Sequence, residues 1–128
     1  KHENEIGAFA ALDLDAARRR VEQQQLAPLP LLGLPVGIKD IFDTADLPTA
    51  YGSPIYAGHQ PKTDAAMVML IRRAGGLVLG KTVTTEFASL EPARTRNPTE
   101  GALNASNGHA ATLDSRFRRK LIWANCNA

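Results

Sequence analysis

Cysteine is all but missing from this chain of 128 residues. The single thiol, Cys126, has no partner for an internal disulfide and no second ligand at metal spacing, so a disulfide scaffold and a zinc ribbon are both excluded. Histidine is scarce as well. His2, His59 and His109 are scattered, none with an acidic or cysteine partner at ligand spacing, and no metal is expected. Long apolar runs are also absent: nothing approaches the roughly 20 residues that span a bilayer, and Lys1-His2-Glu3-Asn4-Glu5 is unlike the start of a signal peptide. The expectation is a protein without membrane association in a cytoplasmic setting, although a first residue that is lysine rather than methionine weakens any argument about a leader. There is no internal repeat.

What is present is the composition of a globular α/β protein, with 44% hydrophobic and 22% charged residues. The formal charge of +2 is unevenly placed. Residues 1–98 hold eleven lysines and arginines against eleven acids, and the excess comes from Arg116, Arg118, Arg119 and Lys120 set against Glu100 and Asp114. A neutral main body offers no electrostatic footprint for nucleic acid or an anionic membrane.

Along the chain, Asp13 reads as an N-cap for an amphipathic helix in which Leu14, Ala17 and Val21 form a narrow apolar stripe reaching about Gln25. Ala27-Pro28-Leu29-Pro30 ends it and leads into the strand that carries Lys39. Thr44 to Lys62 is rich in proline and glycine and reads as a long structured loop with at most a short helical turn. A second helix is expected with Thr63 or Asp64 as its cap, a nearly all-round apolar body from Ala65 to Ile71, Arg72 and Arg73 at its C-terminal dipole, and Gly75 as its stop. Such a helix should be mostly buried. Leu77-Val78-Leu79 reads as a core strand parallel to the first, because a helix joins the two. Strand, helix and strand imply an α/β layer. From Thr99 the character changes to turn formers and a basic cluster without periodicity, and residues 99–128 are expected to be an irregular tail.

The most informative residue is Lys39, set after Gly37-Ile38 in a strand whose alternate residues are Leu34, Val36 and Ile38 on one face and Lys39 and Ile41 on the other. Pattern alone leaves two readings open. The ammonium is carried to solvent on its flexible stem, or it is held inside a site where desolvation makes a neutral lysine usable as a general base. Asp40 and Asp43 follow closely, either as partners holding that lysine or, since adjacent strand residues face opposite ways, as backbone and loop contacts.

The segment of residues 33–44, Gly-Leu-Pro-Val-Gly-Ile-Lys-Asp-Ile-Phe-Asp-Thr, resembles the lysine motif of the amidase signature family. The likeness continues, in the family's order and at about its spacing, through Tyr51-Gly52-Ser53-Pro54, Gly80-Lys81-Thr82, Thr85-Glu86-Phe87-Ala88 and Thr95-Arg96-Asn97-Pro98. The resemblance covers about residues 6–98. It implies an incomplete portion of a mixed sheet with flanking helices, and a chemistry of amide hydrolysis or amide-nitrogen transfer on a small-molecule amide, without metal or organic cofactor. It implies a serine nucleophile, a second serine with a cis peptide bond, and a lysine that corresponds to Lys39. Ser53, Ser89, Ser106 and Ser115 are the serines present, and none lies in a Gly-Gly-Ser or Gly-Ser-Ser setting. The expectation is therefore a family fragment with its lysine and without its two serines, inactive alone, its basic ending the product of a frameshift or an early stop. Strands left without neighbours should favour self-association through sheet edges.

A different class of function also has a motif. Gly75 to Thr82 has the spacing of a phosphate-binding P-loop, and the basic cluster near Trp123 has the make-up of an RNA-binding tail. Against the first stands its context: a helix precedes the glycines, Leu77-Val78-Leu79 is strand material, and β-branched residues follow Lys81. Against the second, short basic tails are commonly just solvated. Glu86 and Phe87 fall in a family block near the substrate channel, yet a phenylalanine after a core strand is ordinarily packing.

Overall fold

The computed structural model describes residues 3–23, 29–89 and 93–95, and the backbone of 122–124. A short helix α1 (Glu3–Ile6) turns at Gly7 into strand β1 (Phe9–Leu12), an element the four successive apolar residues did not announce. Helix α2 (Leu14–Gln23) starts where its sequence says it should, with the Asp13 carboxylate accepting the Ala16 N–H at 2.8 Å. It packs against a later strand through Ala17, which is buried, whereas Leu14 and Val21 of the expected apolar stripe are left exposed.

Strand β2 (Pro35–Lys39) buries Val36, Gly37 and Ile38, and leaves Lys39 half-buried at its C-terminal end. The proline-rich stretch that follows is a structured loop with one short 3₁₀ turn at Pro54–Tyr56, capped by Ser53. Helix α3 (Ala66–Arg73) then crosses over to strand β3 (Leu77–Thr82), which runs parallel to β2 as the crossover requires. β1 pairs antiparallel to β3 on the other side. Strand β4 (Ile122–Ala124) lies parallel to β2, so the sheet order is β1-β3-β2-β4 and the architecture is mixed α/β. Three residues of the tail expected to be irregular are thus a strand; its basic cluster and Cys126 lie outside the described residues.

Val36, Ile38, Leu47, Val68 and Val78 form the core, with Phe42, Ala65 and Ile71 packed on its margin. Burial of each such side chain is worth about 1.5–3 kcal/mol. Close approach is bought with glycine at Gly80, where a Cβ would come within 2.3 Å of the Ala11 carbonyl oxygen on β1.

Two expectations about α3 are corrected. It is not mostly buried: Val68 alone is fully enclosed, while Met69 and Leu70 are 43% and 65% exposed. An eight-residue helix lying on one face of the sheet can cover only one stripe, whatever the apolar content of the rest. Its cap also differs. Ala65 holds the cap position without a side-chain bond and gives its N–H to the Asp43 carbonyl, while the Asp64 carboxylate accepts from the Ala45 N–H and pairs with Arg72 Nε at 2.9 Å. Arg72 also reaches Asp46 at 2.6 Å, an aspartate it shares with Arg20 of α2.

Candidate functional site

The C-terminal ends of the parallel strands β2 and β3 lie side by side, with Lys39 paired to Thr82 in the register. In open α/β sheets this end is where loops converge on ligands. Four of the sequence blocks meet here: the Lys39-Asp40 pair, the loop through Tyr51-Gly52-Ser53, the end of β3 at Lys81-Thr82, and the segment Thr84 to Ala88. A cleft of about 410 Å³ opens between them, lined by Asp40, Gly52, Thr84, Thr85, Glu86 and Arg94. Arg96, Asn97 and Pro98 fall outside the described residues.

Lys39 leaves the strand half-buried, and among the described residues no hydrogen bond or ion pair holds its Nζ. The lysine enclosed in protein is a different one. Lys81 is fully buried, its Nζ donating to Thr49 Oγ1 and standing 3.0 Å from Asp40 Oδ1. Burial pushes its pKa down from the ordinary lysine value, against the opposing pull of the Asp40 carboxylate. Lys81 was visible in the sequence as part of a family block and of the P-loop-like spacing; its enclosure followed from neither spacing nor periodicity, since β3 is buried on both faces.

Asp40 is 2% exposed and makes the loop contact that strand alternation implies. Its N–H donates to the Thr82 carbonyl at 2.9 Å, and its Oδ2 accepts from the Ala50 N–H at 3.2 Å. Asp43 is engaged elsewhere. It accepts the Tyr51 hydroxyl at 2.6 Å, and this bond to a carboxylate, with burial second, pushes the Tyr51 phenol up to about 12. Ser53 serves the local backbone by accepting weakly from the Ile55 N–H at 3.4 Å, but its hydroxyl also donates to Glu86 Oε1 at 2.6 Å, a partnership across the chain that the sequence did not reveal. Gly52 explains how these loops approach so closely. Its φ of +70° suits glycine, and a Cβ there would fall 2.6 Å from the Thr85 carbonyl oxygen.

Phe87 is a further correction, because it is not core packing. It is 51% exposed with φ +46°, and its ring meets Tyr56 edge-on at 6.0 Å in a cluster that continues to Tyr51 and His59. The backbone is what holds it: its N–H donates to the Tyr51 carbonyl at 2.8 Å, so the turn is shaped by the loop it closes against. Among the described residues no cluster of three or more His, Cys, Asp and Glu could hold a metal, and no helix is long and apolar enough to cross a membrane.

A mixed α/β sheet whose parallel strand ends bring together Lys39, the buried Lys81–Asp40 pair and a cleft lined by Asp40 defines the class as α/β, with its candidate site at the strand C-termini. Comparison with known proteins narrows the class. The Amidase family model matches residues 1–107, and the chain belongs to that family. The match runs on past Pro98, where the sequence alone placed the end of the likeness. A glutamyl-tRNA(Gln) amidotransferase subunit of Mycolicibacterium gilvum is 38% identical, the alignment covering 91% of this chain and 25% of the relative. The same subunit of Salinispora arenicola is 42% identical over 67% of this chain and 19% of its own. Among solved structures, its counterpart from Thermotoga maritima superposes with a TM-score of 0.64 at 26% identity, covering 85% of this chain and 24% of that one. A 6-aminohexanoate cyclic dimer hydrolase complexed with substrate gives 0.73 at 27% identity, over 83% and 23%. The chain spans about a fifth to a quarter of the length of the curated relatives it matches.

Proposed function

We propose that this chain carries the lysine arm of an amidase site, with Lys39 as the proton acceptor in hydrolysis of a small carboxamide, or in ammonia transfer to an activated acyl group. The observation that supports it most is the convergence of the family-matching blocks at one end of the parallel pair β2 and β3, with Lys39 on the last residue of β2. An amide reaction needs a nucleophilic hydroxyl, an acceptor for its proton and donors for the oxyanion. Lys39 suits the second of these. The serine nucleophile and cis serine of the amidase signature have no counterpart among the serines of this sequence: Ser53 is buried, bonded to Glu86 and caps a turn. The 128 residues by themselves are accordingly inactive, and the reaction belongs to a chain that also supplies those serines.

Two assays test this reading. The purified chain should not hydrolyse carboxamides; turnover that is lost on Lys39→Ala would overturn the inactivity. A chimera in which residues 3–95 replace the matching segment of the Mycolicibacterium gilvum amidotransferase subunit should release ammonia from an amide donor. Lys39→Ala in that chimera should cost about 100-fold or more in kcat, and Lys62→Ala should cost nothing measurable. Unchanged turnover in the Lys39→Ala chimera would sink the assignment.

A further inference from the structure

We propose that the buried Lys81–Asp40 pair, together with Thr49, is the positioning device for Lys39. The inference rests on the functional reading of Lys39 and concerns what aims it. Lys39 has no side-chain partner among the described residues, so what the fold fixes is the point and direction from which its stem leaves the backbone. That backbone is tied through the next residue. The Lys39 carbonyl carbon and the Asp40 nitrogen share one planar peptide unit, and fixing Asp40 therefore fixes the plane from which Lys39 departs.

Asp40 is held on three sides. Its N–H is bonded to Thr82 on β3, its Oδ2 takes the Ala50 N–H from the loop, and its Oδ1 faces the Lys81 ammonium at 3.0 Å. Lys81 in turn donates to Thr49, one residue before Ala50, so strand β2, strand β3 and the loop are joined at a single point. Asp40 follows directly on Lys39, the last residue of β2, and the register pairs Lys81 with Ile38. The ion pair acts on Lys39 through the backbone that Lys39 and Asp40 share.

Stability does not explain such a pair. Taking a lysine and an aspartate to 0% and 2% exposure carries a desolvation cost for each ion, and well-packed apolar residues of similar volume would serve a core as well or better. An ion pair shut away from water, with Lys81 bonded to Thr49, instead favours one arrangement of β2, β3 and the loop, which a strand end that presents a functional lysine requires.

The test uses the full chain and reads the geometry of Lys39 directly. Acetylation of lysines by a water-soluble N-hydroxysuccinimide ester is followed by peptide mass spectrometry, with exposed Lys62 as the internal reference. The double variant Lys81→Met with Asp40→Leu removes both charges together and so avoids an orphaned ion. Its Lys39-to-Lys62 rate ratio should move by about threefold or more from the wild-type ratio, while Val68→Ala, which loosens the core without touching the pair, should leave the ratio unchanged. Should the double variant not fold, Thr49→Val removes one bond at nearly constant shape and should move the ratio in the same direction by less. A ratio unmoved in the folded variant, or moved equally by Val68→Ala, overturns the proposal. The readout involves no turnover: a shifted ratio beside a fully active Lys39→Ala chimera would overturn the amidase reading and leave the positioning intact.

Discussion

Lys81 Nζ stands 3.0 Å from Asp40 Oδ1, both side chains withdrawn from water, Lys81 near the end of β3 and Asp40 directly after the parallel β2. Removing one partner leaves the other as an uncompensated buried charge. Asp40→Ala should therefore lose about 3–5 kcal/mol in urea unfolding, and Lys81→Met with Asp40→Leu substantially less than the sum of the single changes. If the single variants cost under about 1 kcal/mol, the pair is solvated in solution.

The hydrogen bond from Tyr51 to Asp43 predicts a pH dependence with a definite sign. The phenol ionises near its ordinary 10.0 in the unfolded chain and at about 12 in the folded one. Below pH 10 the bond contributes in full. Between 10 and 12 the unfolded chain has released the proton that the folded chain retains, so the contribution falls as pH rises. Absorbance titration of tyrosinate should show one late phase near 12, absent in Tyr51→Phe and returned toward the ordinary value in Asp43→Asn. Across the same interval the melting temperature of Tyr51→Phe should decline less steeply than that of the wild type.

These two contacts also show where the sequence was readable. Helix α2 with Asp13 at its cap, the parallel strands β2 and β3, and the turn after Arg73 all follow from local rules, because capping, periodicity and glycine act within a few residues. The family blocks were likewise legible as an ordered set. The enclosure of Lys81 was not, because a lysine in an apolar run looks the same whether its stem runs to solvent or to a carboxylate just past the end of the neighbouring strand. The bond between Ser53 and Glu86 joins residues 33 positions apart, and β1 depends on pairing with β3, a contact that no window of nearby residues contains. Phe87 ran against expectation because the loop backbone, and not its apolar ring, sets its place.

Gly52 should be among the least replaceable residues of the site. Alanine there would put a methyl group 2.6 Å from one carbonyl oxygen and 2.8 Å from another, in a backbone conformation that side chains rarely adopt. Neither neighbour can give way, since both belong to the backbone of Thr84 and Thr85. Gly52→Ala should cost about 2 kcal/mol or more in chemical denaturation. Gly58→Ala, with open space around it and a similar φ of +76°, should show only the smaller conformational cost.

The outward side of α3 separates two kinds of apolar residue. Ile38 is 0% exposed in the core, and Ile38→Ala should destabilise by about 2–5 kcal/mol. Leu70 is 65% exposed on the helix surface, with Met69 beside it, and Leu70→Ala should fall within about 0.5 kcal/mol of the wild type. Exposed apolar surface of this kind promotes association, as does a sheet with open edges. Sedimentation velocity over a concentration series should detect self-association of the chain that Leu70→Glu reduces while leaving the melting temperature nearly unchanged. A chain that remains monomeric at every concentration, or a Leu70→Glu variant that associates as readily as the wild type, would show that this face is not what brings copies together.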